Sequence, residues 1–135
     1  MPKAADGQPG DFLHPEQFPG WADRFRPQQA FYGLGRAIRR QRLASAATDY
    51  EALYSAVAKS VIPVLLIWGK QDPVIPFANA DIVRRAIPSA EFLPVDSAGH
   101  LPAMEQSGLV HGRIKAFLEA HGGAAGAAQA DTIPR

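Results

Sequence analysis

Apolar positions change their period along this chain, and the changes divide it into elements. From Gln28 to about Ala47, Phe31, Leu34, Ile38 and Leu43 fall on one side of a helical repeat, with Arg36, Arg39, Arg40 and Arg42 around it. Gly33 and Gly35 weaken that helix by about 1 kcal/mol each relative to Ala, which blurs its start. A second helix is expected behind Thr48-Asp49-Tyr50-Glu51, which fits a capping box between Thr48 and Glu51, with Tyr50, Leu53, Tyr54 and Val57 at helical spacing. The period then gives way to the continuous apolar run Val61–Trp68, stopped by Gly69. Such a run reads as a strand buried on both faces, the kind found in parallel sheets covered by helices. Pro63 lies near its beginning, where a missing donor does least harm. A helix over Asn79–Ile87 turns Ile82, Val83, Ala86 and Ile87 inward before Pro88 stops it, and Ala90–Val95 follows as a shorter strand. The last helix, from about Leu109 to Ala120, packs through Val110, Ile114, Phe117 and Leu118 and ends at Gly122.

Composition bears mainly on the ends and on what the chain is not. Pro and Gly crowd residues 1–20, which denies that stretch regular structure, and the Gly/Ala tract after His121 has nothing large enough to pack. The expected organisation is a disordered N-terminus over 1–11, a helical segment over 12–60, an α/β segment over 61–121 and a flexible tail over 122–135. With 14 basic against 13 acidic residues, the net charge of +1 argues against a nucleic-acid or membrane-surface partner. The six arginines from Arg24 to Arg42 have no acidic residue among them; they read as a solvated helix face or as a surface for an acidic partner. The absence of cysteine excludes disulfides, thiolate metal sites and a cysteine nucleophile. No apolar run approaches the roughly 20 residues of a membrane span, and no secretory signal is evident, so a soluble cytoplasmic domain is expected.

Candidate chemistry gathers just past the two strands. Parallel strands joined through a helix put both carboxyl ends on one edge, where open α/β sheets carry their sites. Past the first strand comes Gly69-Lys70-Gln71-Asp72-Pro73, and past the second Asp96-Ser97-Ala98-Gly99-His100-Leu101-Pro102. Asp72 and His100 are thereby expected at the same edge, where a carboxylate can orient an imidazole and stabilise the imidazolium. Taken singly, Asp72 is a turn former and His100 a loop histidine, with Gly99 supplying a positive-φ turn. Glu105 reads as a solvated carboxylate that at most braces the histidine loop. His14, His111 and His121 lack the spacing of a metal site, and Gly33-Leu34-Gly35 lies in a helical pattern where no phosphate loop belongs. No cofactor is expected.

Ile67–Pro76 resembles the acid-bearing loop of the α/β-hydrolase fold, and Ala98–Glu105 resembles its histidine loop. The resemblance extends through the last helix to Phe117-Leu118 and, upstream, His14–Arg42 is similar to the end of a cap region. It implies a partial α/β-hydrolase fold with two parallel strands, flanking helices and an N-terminal helical segment. It implies Asp72 as triad acid and His100 as triad base, in a family whose order is Ser, acid, His. Trp68, Phe77, Leu101 and Met104 flank the two loops and are candidates to line an apolar substrate pocket. The family's nucleophile elbow, G-x-S-x-G, is absent; ahead of Asp72 the only serines are Ser45, Ser55 and Ser60. Ser107-Gly108 also stands where the family pattern has Pro-Glu. The expectation is therefore the C-terminal portion of a hydrolase, inactive as an isolated chain and completed by an N-terminal hydrolase half. The alternative is a non-catalytic module, or the remnant of a split gene, that acts by association with a partner chain or with itself.

Overall fold

The computed structural model describes residues 2–125. In chain order its elements are α1 (Pro2–Gly7), α2 (Trp21–Phe25), α3 (Leu34–Ala46), α4 (Tyr50–Ala58), β1 (Leu65–Gly69), α5 (Ala80–Ala86), β2 (Glu91–Val95), α6 (Pro102–Glu105) and α7 (Ser107–Ala125). Short 3-10 turns over Gln8–Asp11, Pro15–Gln17, Arg26–Ala30 and Phe77–Asn79 join several of them.

The two strands are parallel, in the register Leu65↔Glu91 through Gly69↔Val95. Alternation along each strand divides the sheet into two faces. Ile67, Leu93 and Val95 face α7 and pack with Ala98, Val110 and Ile114 into the core of this unit. On the opposite face Phe92 stacks on Phe77 at 6.1 Å, with the Arg84 guanidinium 4.7 Å from the Phe92 ring centre. At the N-terminal end of the strands, Glu91 pairs with Arg113 and, at 2.7 Å, with His121, tying β2 to α7. The His121 hydrogen bond, then that of Arg113, holds the Glu91 carboxyl below its ordinary value.

The structure departs from the pattern-based expectations at several points. Residues 2–7 are helical although Gly and Pro suggested irregular chain, because a proline opening a helix lacks only a donor that would be unpaired anyway. Beyond them Phe12 is buried, stacked on Phe18 at 4.2 Å and edge-on to Trp21 at 5.2 Å. The helix expected from Gln28 starts only at Leu34, since Gly33 adopts φ 86° and breaks the repeat. Phe31 and Leu43, assigned to its apolar side, are exposed. The N-cap of α4 is Asp49, whose Oδ1 accepts from Ala52 N at 3.0 Å, while Thr48 Oγ1 donates back to the Ala44 carbonyl. The cap thus falls one residue later than the capping-box pattern predicts.

The strand residues Leu65–Trp68 are only half-buried, and Val61 and Ile62, expected in the strand, lie before it at 99% and 70% exposure. The cause is plain: among the described residues β1 has one neighbour, so nothing covers its other side. Ile82 and Leu118, expected inward, are exposed as well. The last helix runs through Gly122 to Ala125, and the remainder of the expected tail lies outside the described residues. No helix among the described residues is long and apolar enough to cross a membrane.

Candidate active site

The carboxyl ends of β1 and β2 carry the two loops that the sequence singled out. They are laced together by backbone and side chain. Lys70 N donates to the Val95 carbonyl at 2.9 Å and Gln71 N to that of Ala98 at 3.1 Å, while Gln71 Oε1 accepts from Ala98 N at 3.2 Å. Lys70 Nζ and Asp96 form an ion pair at 2.8 Å across the same seam. Ser97 takes φ 52°, and Gln106 Nε2 donates to its carbonyl. The expected positive φ therefore belongs to Ser97 rather than to Gly99, whose role is one of space. A Cβ at Gly99 would meet Leu13 N at 2.7 Å and the Asp11 carbonyl oxygen at 2.8 Å.

In this frame His100 Nδ1 lies 2.9 Å from Asp72 Oδ2. The other carboxylate oxygen, Oδ1, accepts from Val74 N at 2.8 Å and Ile75 N at 2.9 Å. Those two donors fix the carboxylate plane, and its side chain is 6% exposed. An ionised carboxylate only accepts, so Nδ1 carries the proton toward Asp72 and Nε2 is left as the basic nitrogen. The imidazole is one-third exposed, open enough to meet a reacting group.

An apolar cleft beside the pair is lined by Leu66, Trp68, Ile75 and Pro102, together with Asp72 and His100. Trp68 is held in place by donating its Nε1 to the Ile75 carbonyl at 3.1 Å. Of the residues expected to line a substrate pocket, only Trp68 is in this cleft. Phe77 is on the sheet face with Phe92, and Leu101 and Met104 lie at α6, where the Leu101 carbonyl accepts from Met104 N. Tyr50 and Tyr54 of α4 border an adjoining groove with Trp68 and Ile75, a contribution that their helical spacing did not announce.

Glu105 is not a solvated carboxylate. Its Oε1 accepts from Leu13 N at 2.6 Å and His14 N at 3.2 Å, and its Oε2 from Gly99 N at 2.6 Å. The tie to Gly99 is a bracing of the histidine loop, six positions back, whereas no local signal reveals Leu13 and His14, 92 and 91 positions away. Among the described residues no group of three or more histidine, aspartate or glutamate side chains is placed to hold a metal ion.

A carboxylate after the first parallel strand and a histidine after the second follow the chain order in which α/β-hydrolases carry their acid and histidine. Comparison with known proteins gives the same class. The family model of TAP-like proteins, an α/β-hydrolase family, matches residues 43–125. The chain is 34% identical over 89 residues to the dihydrolipoyllysine-residue acetyltransferase component of the acetoin cleaving system of Pseudomonas putida, covering 66% of this chain and 23% of that protein. Lipase 3 of Moraxella sp. (strain TA144) is 32% identical over 63 residues, 47% of this chain and 20% of the lipase. The uncharacterized hydrolase YugF of Bacillus subtilis is 26% identical over 104 residues, 77% of this chain and 36% of YugF. The chain belongs to the α/β-hydrolase family, and it spans between about a fifth and a third of the length of these relatives.

Proposed function

We propose that these residues are the C-terminal portion of an α/β-hydrolase-type enzyme and supply its acid, Asp72, and its base, His100, for hydrolysis of an ester or a related bond. The observation that carries this reading is the 2.9 Å contact of His100 Nδ1 with Asp72 Oδ2, which leaves Nε2 as the basic nitrogen. In the complete enzyme Nε2 takes the proton of a serine hydroxyl as its oxygen bonds to the substrate carbonyl carbon. It returns that proton to the leaving alcohol, and a water molecule then repeats the sequence on the acyl-enzyme. Asp72 holds the ring and stabilises the imidazolium throughout without itself taking the proton.

The serine comes from outside these 135 residues, which contain no G-x-S-x-G. A small apolar acyl group suits the cleft beside Trp68 and Ile75. The matched lipase of Moraxella is named for ester chemistry of this kind. One observation favours a second reading, association without catalysis: Val61 and Ile62 stand 99% and 70% exposed ahead of β1, an apolar surface that a partner chain or a second copy would cover.

The test is to express these residues joined to, or together with, the segment encoded immediately upstream and to assay p-nitrophenyl esters of short acids. Hydrolysis is expected, with kcat falling by about 10⁴-fold in Asp72→Asn, the scale seen when a triad aspartate is neutralised in serine proteases. An upstream segment without a nucleophile elbow, or hydrolysis indifferent to His100→Ala, would leave the association reading in its place.

A further inference from the structure

Glu105 lies outside the acid–base pair, yet its carboxylate joins two distant parts of the chain directly behind His100. Pro102 opens the single turn α6, and that turn swings the Glu105 side chain back beneath the loop it has just left. There Oε2 accepts from Gly99 N at 2.6 Å, one residue ahead of His100. Oε1 accepts from Leu13 N at 2.6 Å and His14 N at 3.2 Å, in the N-terminal segment. The same segment closes the circuit, since His100 N donates to the Asp11 carbonyl at 2.8 Å. Gly99 is what allows the approach: a Cβ there would strike Leu13 N and the Asp11 carbonyl oxygen. Consecutive amides at 99 and 100 are thus both tied, one through Glu105 and one directly, to residues 11–14. Charge-assisted hydrogen bonds of this length are about twice as strong as neutral ones.

We propose that Glu105 is a positioning residue for His100, setting its backbone, and with it the Nδ1 contact to Asp72, by clamping the histidine loop to residues 11–14. The proposal rests on reading His100 as the base. Fixing the backbone at 99 and 100 leaves the imidazole only its own side-chain torsions. With the clamp released, the loop can rotate, and Nδ1 leaves Asp72 for water.

The experiment uses the 135-residue chain labelled with 15N, long-range proton–nitrogen spectra of the imidazoles, and amide hydrogen exchange. It reads a tautomer and three amides rather than turnover, so it stands apart from any failure to reconstitute hydrolysis. In the unaltered chain His100 is expected as the Nδ1-protonated tautomer, with the Leu13, His14 and Gly99 amides protected together. Glu105→Gln keeps the shape but removes the charge and one acceptor oxygen. It is expected to convert His100 to a mixture of tautomers and to speed exchange of those three amides by at least about tenfold, the factor that corresponds to 1.4 kcal/mol. Asp72→Asn, by contrast, should change the His100 tautomer and leave the three amides protected. A folded Glu105→Gln chain with unaltered His100 signals overturns the proposal. So does exchange of the three amides at unprotected rates in the unaltered chain, a measurement that holds even if the variant fails to fold.

Discussion

Two carboxylates near opposite ends of the strand pair show how the same group serves different ends. Asp72 splits its oxygens, giving Oδ1 to the amides of Val74 and Ile75 and Oδ2 to His100, so it is fixed by the chain and oriented toward one imidazole. Glu91 also meets a histidine, but it is shared with Arg113 and serves to fasten α7 to β2. Because His121 and then Arg113 hold the Glu91 carboxyl below its ordinary 4.5, the folded state favours the ionised form. Its contribution is therefore complete above that ordinary value and is lost as the pH falls through the lowered one. Urea unfolding between pH 7 and pH 3 should show the unaltered chain losing more stability below about pH 4.5 than Glu91→Gln does; parallel curves would show the pair to be neutral. The pairing of Asp72 with His100 was legible in the sequence, since strand–helix–strand order alone brings the two loops to one edge. The ties of Glu105 to Leu13 and His14 were not, because only tertiary folding brings those amides near.

At the scale of elements, the site depends on how closely two loops approach. Gly69 ends β1 at the point where the histidine loop crosses over it. A Cβ there would run into the Gly99 carbonyl oxygen and come within 2.5 Å of the Ala98 carbonyl oxygen, both backbone atoms. Neither can turn aside as a flexible side chain would. Gly69→Ala is accordingly expected to cost about 3 kcal/mol, the upper part of the range for overpacking, and to separate Asp72 from His100. Denaturant midpoints and the His100 nitrogen shifts would check both consequences, and a chain of unchanged stability would mean that the loops slide freely. Sequence patterning placed the longer helices and the strands of residues 61–121 in the right order, with burial concentrated around Val95 and Val110, although β1 begins only at Leu65. It served less well upstream. Phe31 and Leu43 keep a helical spacing yet are exposed, and Phe31 lies ahead of α3, so the period overstates both the length of that helix and its packing. Short helices such as α1, α2 and α6 span too few residues for any period to register.

At the scale of the molecule, the proposal makes the two-stranded parallel sheet the holder of an acid, Asp72, and a base, His100, whose nucleophile lies outside these 135 residues. A serine becomes a nucleophile only when a base takes its proton as it attacks. The serines ahead of Asp72 are differently engaged or placed: Ser45 and Ser55 lie within α3 and α4, and Ser60 Oγ donates to the Val57 carbonyl at 2.7 Å. Ser97 adopts a strained φ of 52°, yet its turn is set by the backbone ties of the histidine loop and precedes His100 by only three positions. An isolated 135-residue chain should therefore resist a fluorophosphonate probe. Intact-mass spectra after prolonged incubation are expected to show no adduct, and activated esters no initial burst. Adding the segment that carries the nucleophile should produce labelling on that segment, with the rate falling when His100 is replaced by alanine. Stoichiometric labelling of a serine within the isolated chain would overturn this assignment, for it would mean that His100 finds its nucleophile among these residues. The exposed apolar residues Val61 and Ile62 give the same experiment a physical check, because a segment that completes the sheet must cover them. Replacing both with lysine should weaken assembly and labelling together while leaving the contact between Asp72 and His100 intact, since that contact is made at the far end of β1.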